Sequence, residues 1–217
     1  MKTFLLDMDG VLLDSECIFV SSLQQYLKDQ GVEGDLSAEA LSRFTGMKTD
    51  LISKCLQKEF HLPKTIAELS KDQDLYFDEE VKRRGRLKPM EGLEDFLQRL
   101  RAKRLKIALA TSSDRVWVRY VLKQLEVTDY FDTVVTGEEA KASKPAPDIF
   151  LLAAKRTGSD PCDCVVIEDS INGIRAGKAA GMYVIGFKGS RIWQDTSSAD
   201  QEVERFAQIE IDRFLKE

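Results

Sequence analysis

Lys2-Thr3-Phe4-Leu5-Leu6-Asp7-Met8-Asp9-Gly10 begins as a short apolar run and stops at two aspartates and a glycine. A run this short, with little polar/apolar alternation, reads as a strand buried on both faces that ends in a tight loop. The same pattern recurs downstream. Residues 105–110 stop at Thr111-Ser112-Ser113-Asp114, Thr133–Val135 stops at Thr136-Gly137, residues 164–167 stop at Glu168-Asp169-Ser170, and residues 182–185 stop at Gly186. Strands hidden on both faces imply a parallel sheet covered by helices. The intervening stretches carry helical spacing. Leu93, Phe96, Leu97 and Leu100 fall at i, i+3, i+4 and i+7, and Val118, Val121, Leu122 and Leu125 repeat the pattern. Ile149, Leu152 and Ala153 begin another face after Pro147, a good first-turn residue. Ile171, Ile174 and Ala180 line a further helix that Gly181 can terminate. From about residue 88 onward the chain therefore reads as a doubly wound, Rossmann-like α/β fold with right-handed crossovers.

Residues 15–87 break this rhythm. They offer no convincing strand, only apolar faces at Phe19, Leu23, Tyr26 and Leu27 and at Ile52, Cys55 and Leu56, then a long charged stretch. The spacing predicts an α-helical domain inserted after the first strand, with residues 1–14 and 88–217 forming the α/β core. The basic run from Lys82 to Lys88 reads as a solvated helix end near the joint. Residues 188–217 are polar, with a short helix expected over residues 211–216.

The composition narrows the function. The chain has 217 residues, 43% of them hydrophobic, and 32 Lys+Arg against 37 Asp+Glu give a net charge of −5. That acidic balance argues against a general nucleic-acid binder, which needs a basic face. No apolar run approaches the roughly 18 residues that span a bilayer. The N-terminal run is too short for a signal peptide, so the cytoplasm is the expected compartment and no membrane partner is expected. Cys17, Cys55, Cys162 and Cys164, with His61 as the sole histidine, cannot assemble a four-ligand zinc site at sensible spacing. A single histidine also makes mechanisms built on a histidine base improbable.

Ligands of an open parallel sheet bind beyond the carboxyl ends of its strands. There the first strand delivers Asp7 and Asp9, the second Thr111 and Ser112, and the fourth Glu168 and Asp169. Lys144 lies in the loop Ser143-Lys144-Pro145-Ala146-Pro147-Asp148 after the third. Four carboxylates at one place repel one another unless a cation sits among them. Oxygen-only donors favour Mg²⁺, which keeps waters and a substrate phosphate among its ligands. A hydroxyl and an ammonium beside it suit the remaining phosphate oxygens. One Asp is then placed to attack phosphorus, and the other to protonate the leaving oxygen and later deprotonate water. Phosphoryl transfer needs alignment and charge neutralisation more than a strong base, so this inventory suffices in kind. Asp14, Ser15, Asp114 and Ser170 read instead as helix N-caps.

Asp7-Met8-Asp9-Gly10-Val11-Leu12-Leu13-Asp14-Ser15 resembles the first motif of the haloacid dehalogenase-like superfamily of phosphotransferases. Ala110-Thr111-Ser112-Ser113 is similar to its second motif, Ser143-Lys144-Pro145 to its third, and Val166-Ile167-Glu168-Asp169-Ser170 to its fourth. Asn172-Gly173-Ile174, with Ala176, Gly177, Ala179, Ala180 and Gly181, resembles the helix after the fourth motif. One Asp-x-Asp is a weak signal; four motifs in order along nearly the whole chain are a specific one. The resemblance implies that Asp7 is the nucleophile and a Mg²⁺ ligand. It implies that Asp9 is the general acid/base, with its backbone carbonyl on the metal. It gives phosphate binding to Thr111 and Ser112, charge neutralisation to Lys144, and completion of the metal site to Asp169 with Glu168.

The helical insert resembles the cap of the subfamily containing β-phosphoglucomutase and small sugar-phosphate phosphatases, which closes over the site and excludes water. Mutase-like members carry a His after the first motif and an Arg after a glycine-containing cap loop. Phe19 and Thr49 stand near those places here. Lys48 beside them lacks the planar fork of an arginine. The resemblance therefore points to a phosphatase acting on a small phosphorylated metabolite, a sugar or polyol phosphate, with a phosphomutase as the alternative. A phospho-accepting signalling domain is a third reading, but that fold is about half this length and has no helical insert. Phe44, Met47 and Lys48 are candidates for substrate selection, and Phe44 and Met47 equally fit the interior of the insert. A monomer is expected.

Overall fold

The computed structural model describes residues 2–44, 47, 49–192 and 194–215. Among these, the elements in chain order are β1 (Thr3–Leu6), α1 (Glu16–Asp29), α2 (Ala38–Ser42), α3 (Thr49–Phe60), α4 (Ile66–Arg84), α5 (Leu93–Ala102), β2 (Lys106–Ala110), α6 (Arg115–Leu125), β3 (Thr133–Val135), α7 (Asp148–Thr157), β4 (Cys164–Glu168), α8 (Ile171–Ala179), β5 (Tyr183–Phe187) and β6 (Gln201–Val203). The chain divides into two compact units, residues 1–14 with 87–217, and residues 15–86. None of the described helices is long and apolar enough to cross a membrane.

The first unit is a parallel sheet in the order β3-β2-β1-β4-β5-β6. The doubly wound class expected from the apolar runs is what the chain adopts. β1 lies between β2 and β4, with Leu5 opposite Ala108 on one side and Val166 on the other. Every residue of β1 is buried, which is why its sequence lacks a polar alternation. Successive side chains leave a strand on opposite faces. Leu5 joins Phe150, Ala153, Ala154 and Val166 in one apolar layer, which includes the inner face of α7. Phe4 joins the other layer, edge-on to Phe96 of α5 at 5.9 Å and to Phe214 at 5.8 Å, while Phe96 stacks on Phe206 at 5.0 Å.

The second unit is helical. α1 and α3 both pack on α4. Tyr26 meets Tyr76 edge-on at 5.2 Å, and Tyr76 Oη donates to Asp29 Oδ2 at 2.8 Å. Thr65 and Glu68 form a capping box that starts α4. Part of the basic run at its other end is used internally, since Arg83 and Arg84 both bond Glu80, and Arg84 also donates to Cys17 O and Ser21 Oγ of α1.

Several details differ from the sequence reading. β6 is an added edge strand whose one buried residue is Val203, too little apolar signal to register as a strand. The C-terminal helix is a 3₁₀ turn over Ile211–Phe214. Cys55 is exposed, and Ser53 fills the buried face of α3 beside Ile52 and Leu56. That hydroxyl sits 2.8 Å from Ser70 Oγ and accepts from Gln73 Nε2 at 2.7 Å, so its polarity is satisfied. Asp114 and Ser170 cap helices as expected, but the Ser15 side chain at the N-cap of α1 makes no capping hydrogen bond. Asp14 instead accepts from Ser190 Oγ at 3.0 Å.

Candidate active site

The strand order puts the carboxyl ends of β2, β1 and β4 side by side. Asp7 follows β1 directly, Thr111 follows β2, and Glu168 ends β4 with Asp169 next. Residues separated by more than a hundred positions are thereby gathered at the carboxyl end of the sheet.

Lys144 organises them. Its Nζ lies 2.6 Å from Asp7 Oδ1, 2.6 Å from Glu168 Oε1 and 3.3 Å from Ala110 O. Those three acceptors match the three donors of an ammonium. The three side chains are nearly dry, with Lys144 7%, Asp7 8% and Glu168 1% exposed. Glu168 Oε2 accepts from the backbone N–H of Ser170 at 2.8 Å and from its hydroxyl at 2.9 Å. Ser170 Oγ in turn accepts from Gly173 N at 3.0 Å, capping α8.

Two glycines make this density possible. A Cβ on Gly173 would lie 1.7 Å from Glu168 Oε1, so the carboxylate rests against bare helix backbone. A Cβ on Gly10 would lie 1.8 Å from Asp169 Oδ2, and Gly10 also holds φ at +76°. The loop after β1 can therefore approach the one after β4 only with glycine there.

The electrostatics follow from this geometry. Burial raises Asp7, Lys144 pulls it down, Glu168 and Asp9 add repulsion, and the balance stands at about 7. Burial works against the Lys144 ammonium too, yet the Asp7 and Glu168 charges outweigh it and hold Lys144 above the usual lysine range.

Asp9 is held from the β2–α6 segment. Its Oδ2 accepts from Ser113 Oγ and, at 3.5 Å, from Thr111 Oγ1, while Oδ1 accepts from Trp117 Nε1 at 3.3 Å. Ser112 is exposed, and its backbone carbonyl packs where a Cβ on Gly137 would stand, at 2.2 Å. Ser113 is thus the serine that reaches Asp9. The loop bends there, with Ser113 N donating to Thr111 Oγ1 at 3.2 Å, and no periodic signal in the sequence marks that turn. Trp117 gave no local signal, because its partner lies 108 residues away.

The remaining expected residues lie in the helical unit or outside the described chain. Phe44 is buried at 3% exposure, with the Arg43 guanidinium 4.7 Å from its ring centroid. Met47 is half-buried. Lys48 falls outside the described residues.

The donor chemistry suits a hard divalent cation. Asp7, Asp9, Glu168 and Asp169 outnumber Lys144, and all offer oxygen. Among the described residues no three acidic, histidine or cysteine side chains converge as a ready-made cage. Mg²⁺ needs no such cage, because it is usually held by one or two carboxylates, waters and substrate oxygens. Asp7 and Asp169, with the Asp9 carbonyl, are sufficient in kind.

Comparison with known proteins agrees with the fold. Residues 4–187 match the family of haloacid dehalogenase-like hydrolases. The chain is 32% identical over 181 residues to the fructose-1-phosphate phosphatase of Escherichia coli K12, covering 82% of this chain and 92% of that one. It is 29% identical over 215 residues to the bifunctional riboflavin kinase/FMN phosphatase of Arabidopsis thaliana, covering 97% of this chain but only 55% of that longer protein. A solved haloacid dehalogenase-like protein of unknown function from Agrobacterium tumefaciens superposes with a TM-score of 0.80 at 29% identity, over 95% of this chain and 94% of that one. The chain therefore belongs to the haloacid dehalogenase-like hydrolase family, and it is an enzyme.

Proposed function

We propose that the protein is a Mg²⁺-dependent phosphatase that hydrolyses a small phosphomonoester through a phosphoryl group carried on Asp7. The observation that carries this reading is the buried Asp7–Lys144–Glu168 arrangement at the carboxyl ends of β1 and β4, with Asp9 two residues past Asp7. Lys144 biases Asp7 toward the anion that a nucleophile must be. An Asp7 carboxylate oxygen attacks phosphorus, the bond to the leaving oxygen breaks, and the Asp9 carboxyl gives that oxygen its proton. Asp9, now a carboxylate, takes a proton from water, whose oxygen attacks phosphorus, releases inorganic phosphate and restores Asp7. Thr111 and Ser112 are assigned to phosphate oxygens, and Lys144 offsets their charge. Asp7, the Asp9 carbonyl and Asp169 would hold Mg²⁺, with Glu168 beside them tied to Lys144 and Ser170. When bound, the metal neutralises the charge gathered on the transferring phosphoryl group.

The two phosphatase relatives act on a sugar phosphate and on a flavin phosphate by name. What those substrates share is the phosphomonoester itself, which supports that class and leaves the leaving group to the inserted helices of residues 15–86, the proposed cap. A sugar or polyol phosphate is the substrate we favour.

The test is phosphate release from a panel of sugar, polyol and nucleotide monophosphates with and without Mg²⁺. Release should require Mg²⁺ and fall by at least about 10³-fold in Asp7→Asn. Equal release from Asp7→Asn would remove Asp7 as nucleophile. Isomerisation of a sugar phosphate primed with its bisphosphate, without net release, would replace the phosphatase by a phosphomutase.

A further inference from the structure

Asp9 is gripped on both oxygens by one short segment. Ser113 holds Oδ2 and Trp117 holds Oδ1. Trp117 is itself fixed twice. Its backbone N–H donates to Asp114 Oδ1 at 2.9 Å in the cap of α6, and its ring stacks on Tyr120 at 5.7 Å and 21°. Next to it Val116 is 80% exposed, so α6 turns its neighbour outward and the indole inward. A partly buried indole N–H commonly finds some acceptor. Here the acceptor is a half-buried carboxylate whose other oxygen is also claimed, which fixes rotation of the carboxylate plane. An indole can only donate, so it cannot exchange the proton itself.

We propose that Trp117 is a positioning residue for Asp9, setting the orientation from which that carboxyl meets the leaving oxygen. The inference rests on the reading of Asp9 as the acid–base group. In kcat/KM, which reports the steps up to release of the leaving group and not the later attack of water, misorientation of Asp9 is costly only where that group must be protonated, which gives a discriminating substrate pair. An alkyl phosphate needs its leaving oxygen protonated, whereas p-nitrophenyl phosphate releases a stabilised phenolate.

Trp117→Phe leaves an aromatic ring beside Tyr120 and removes the donor. It should lower kcat/KM for an alkyl phosphate about tenfold, and for p-nitrophenyl phosphate by less than about twofold. In an Asp9→Asn background, Trp117→Phe should add no further loss, because paired groups are not additive. The emission assigned to Trp117, taken as wild type minus Trp117→Phe, should shift in Asp9→Asn. Equal losses on both substrates, or an additive loss in the double variant, would assign Trp117 a merely structural role and overturn the proposal. Full activity of Asp9→Asn on the alkyl phosphate would overturn the acid–base reading and this proposal with it. Loss in Asp9→Asn without loss in Trp117→Phe would overturn this proposal alone.

Discussion

At the scale of the residue, Lys144 carries the charge balance of the site. It is a buried ammonium between two buried carboxylates. Removing one partner of a buried ion pair leaves an uncompensated charge and costs about 3–5 kcal/mol. Lys144→Met keeps the stem volume and removes the charge, so it should destabilise the fold by that order as well as abolish turnover. The loss should depend on pH. Asp7 already stands at about 7, and without the pull of Lys144 it rises further. A carboxyl raised in the folded state binds its proton more tightly there than in the unfolded chain. Its contribution to stability is fully present below the unfolded value and is lost as pH rises through the folded one. Urea unfolding of metal-free Lys144→Met should therefore show lower stability at pH 8 than at pH 5. A difference from wild type that stays the same at both values would mean Asp7 does not feel Lys144. Asp7, Asp9, Glu168 and Asp169 stand out in the sequence as candidates because each ends or closely follows an apolar run, and Lys144 by its place in the loop after β3 and its likeness to the third motif. Ser113 and Trp117 were not, since only the fold brings them to Asp9.

At the scale of elements, the loop between β3 and α7 must be pinned if it is to present Lys144. Glu139 does this. It accepts from Thr136 N at 3.1 Å and from Arg156 of α7 at 2.6 Å, and it lies 3.6 Å from Arg115 of α6. The Arg156 hydrogen bond, aided by Thr136 N and the two guanidinium charges, outweighs burial and holds Glu139 down at about 2. A depressed carboxyl stabilises the fold above its unfolded value, and that contribution is lost as pH falls toward the folded one. Glu139→Gln should therefore cost about 1 kcal/mol at pH 6, the modest size reflecting an Arg156 that is open to water, and nothing near pH 2. Equilibrium unfolding across that range checks it, and a cost unchanged at pH 2 would mean the glutamine disturbs packing rather than charge. The element boundaries show the same division between local and tertiary causes. β1, β2, β4 and β5 were readable because burial on both faces leaves a nearly unbroken apolar run, and the half-buried edge strand β3 because Thr133, Val134 and Val135 are all β-branched. β6 was not, because an edge strand that is mostly polar gains its order from pairing with β5, where Ile185 faces Gln201. Ser53 on the inner face of α3 was missed for a related reason: its hydroxyl is satisfied by Ser70 and Gln73, which no helical period reveals.

At the scale of the whole molecule, the chain leaves the sheet after Asp14 and returns at Leu87 as two compact units. Met90 N donates to Leu12 O at 2.8 Å, so the α/β unit closes on itself across the insertion. Each unit has its own interior, and Tyr26, Leu27, Leu56 and Leu69 of the helical one are wholly buried. Two such units need not melt together, and a single transition cannot be assumed. This gives the proposed metal site a signature that requires no substrate. A ligand that binds only the folded state at 100 times its Kd adds about 2.7 kcal/mol. For a domain of this size that corresponds to a rise of about 5–10 °C in the melting midpoint. All the proposed ligands, Asp7, Asp9 and Asp169, belong to the unit formed by residues 1–14 and 87–217. Saturating Mg²⁺ should therefore raise the transition of that unit in calorimetry and leave any separate transition of residues 15–86 in place. Asp169→Asn should lose most of the shift while remaining folded, since an amide occupies the space against Gly10 that the carboxylate fills. An undiminished shift in Asp169→Asn would place the cation elsewhere, and a shift confined to the helical transition would move it out of the α/β unit altogether.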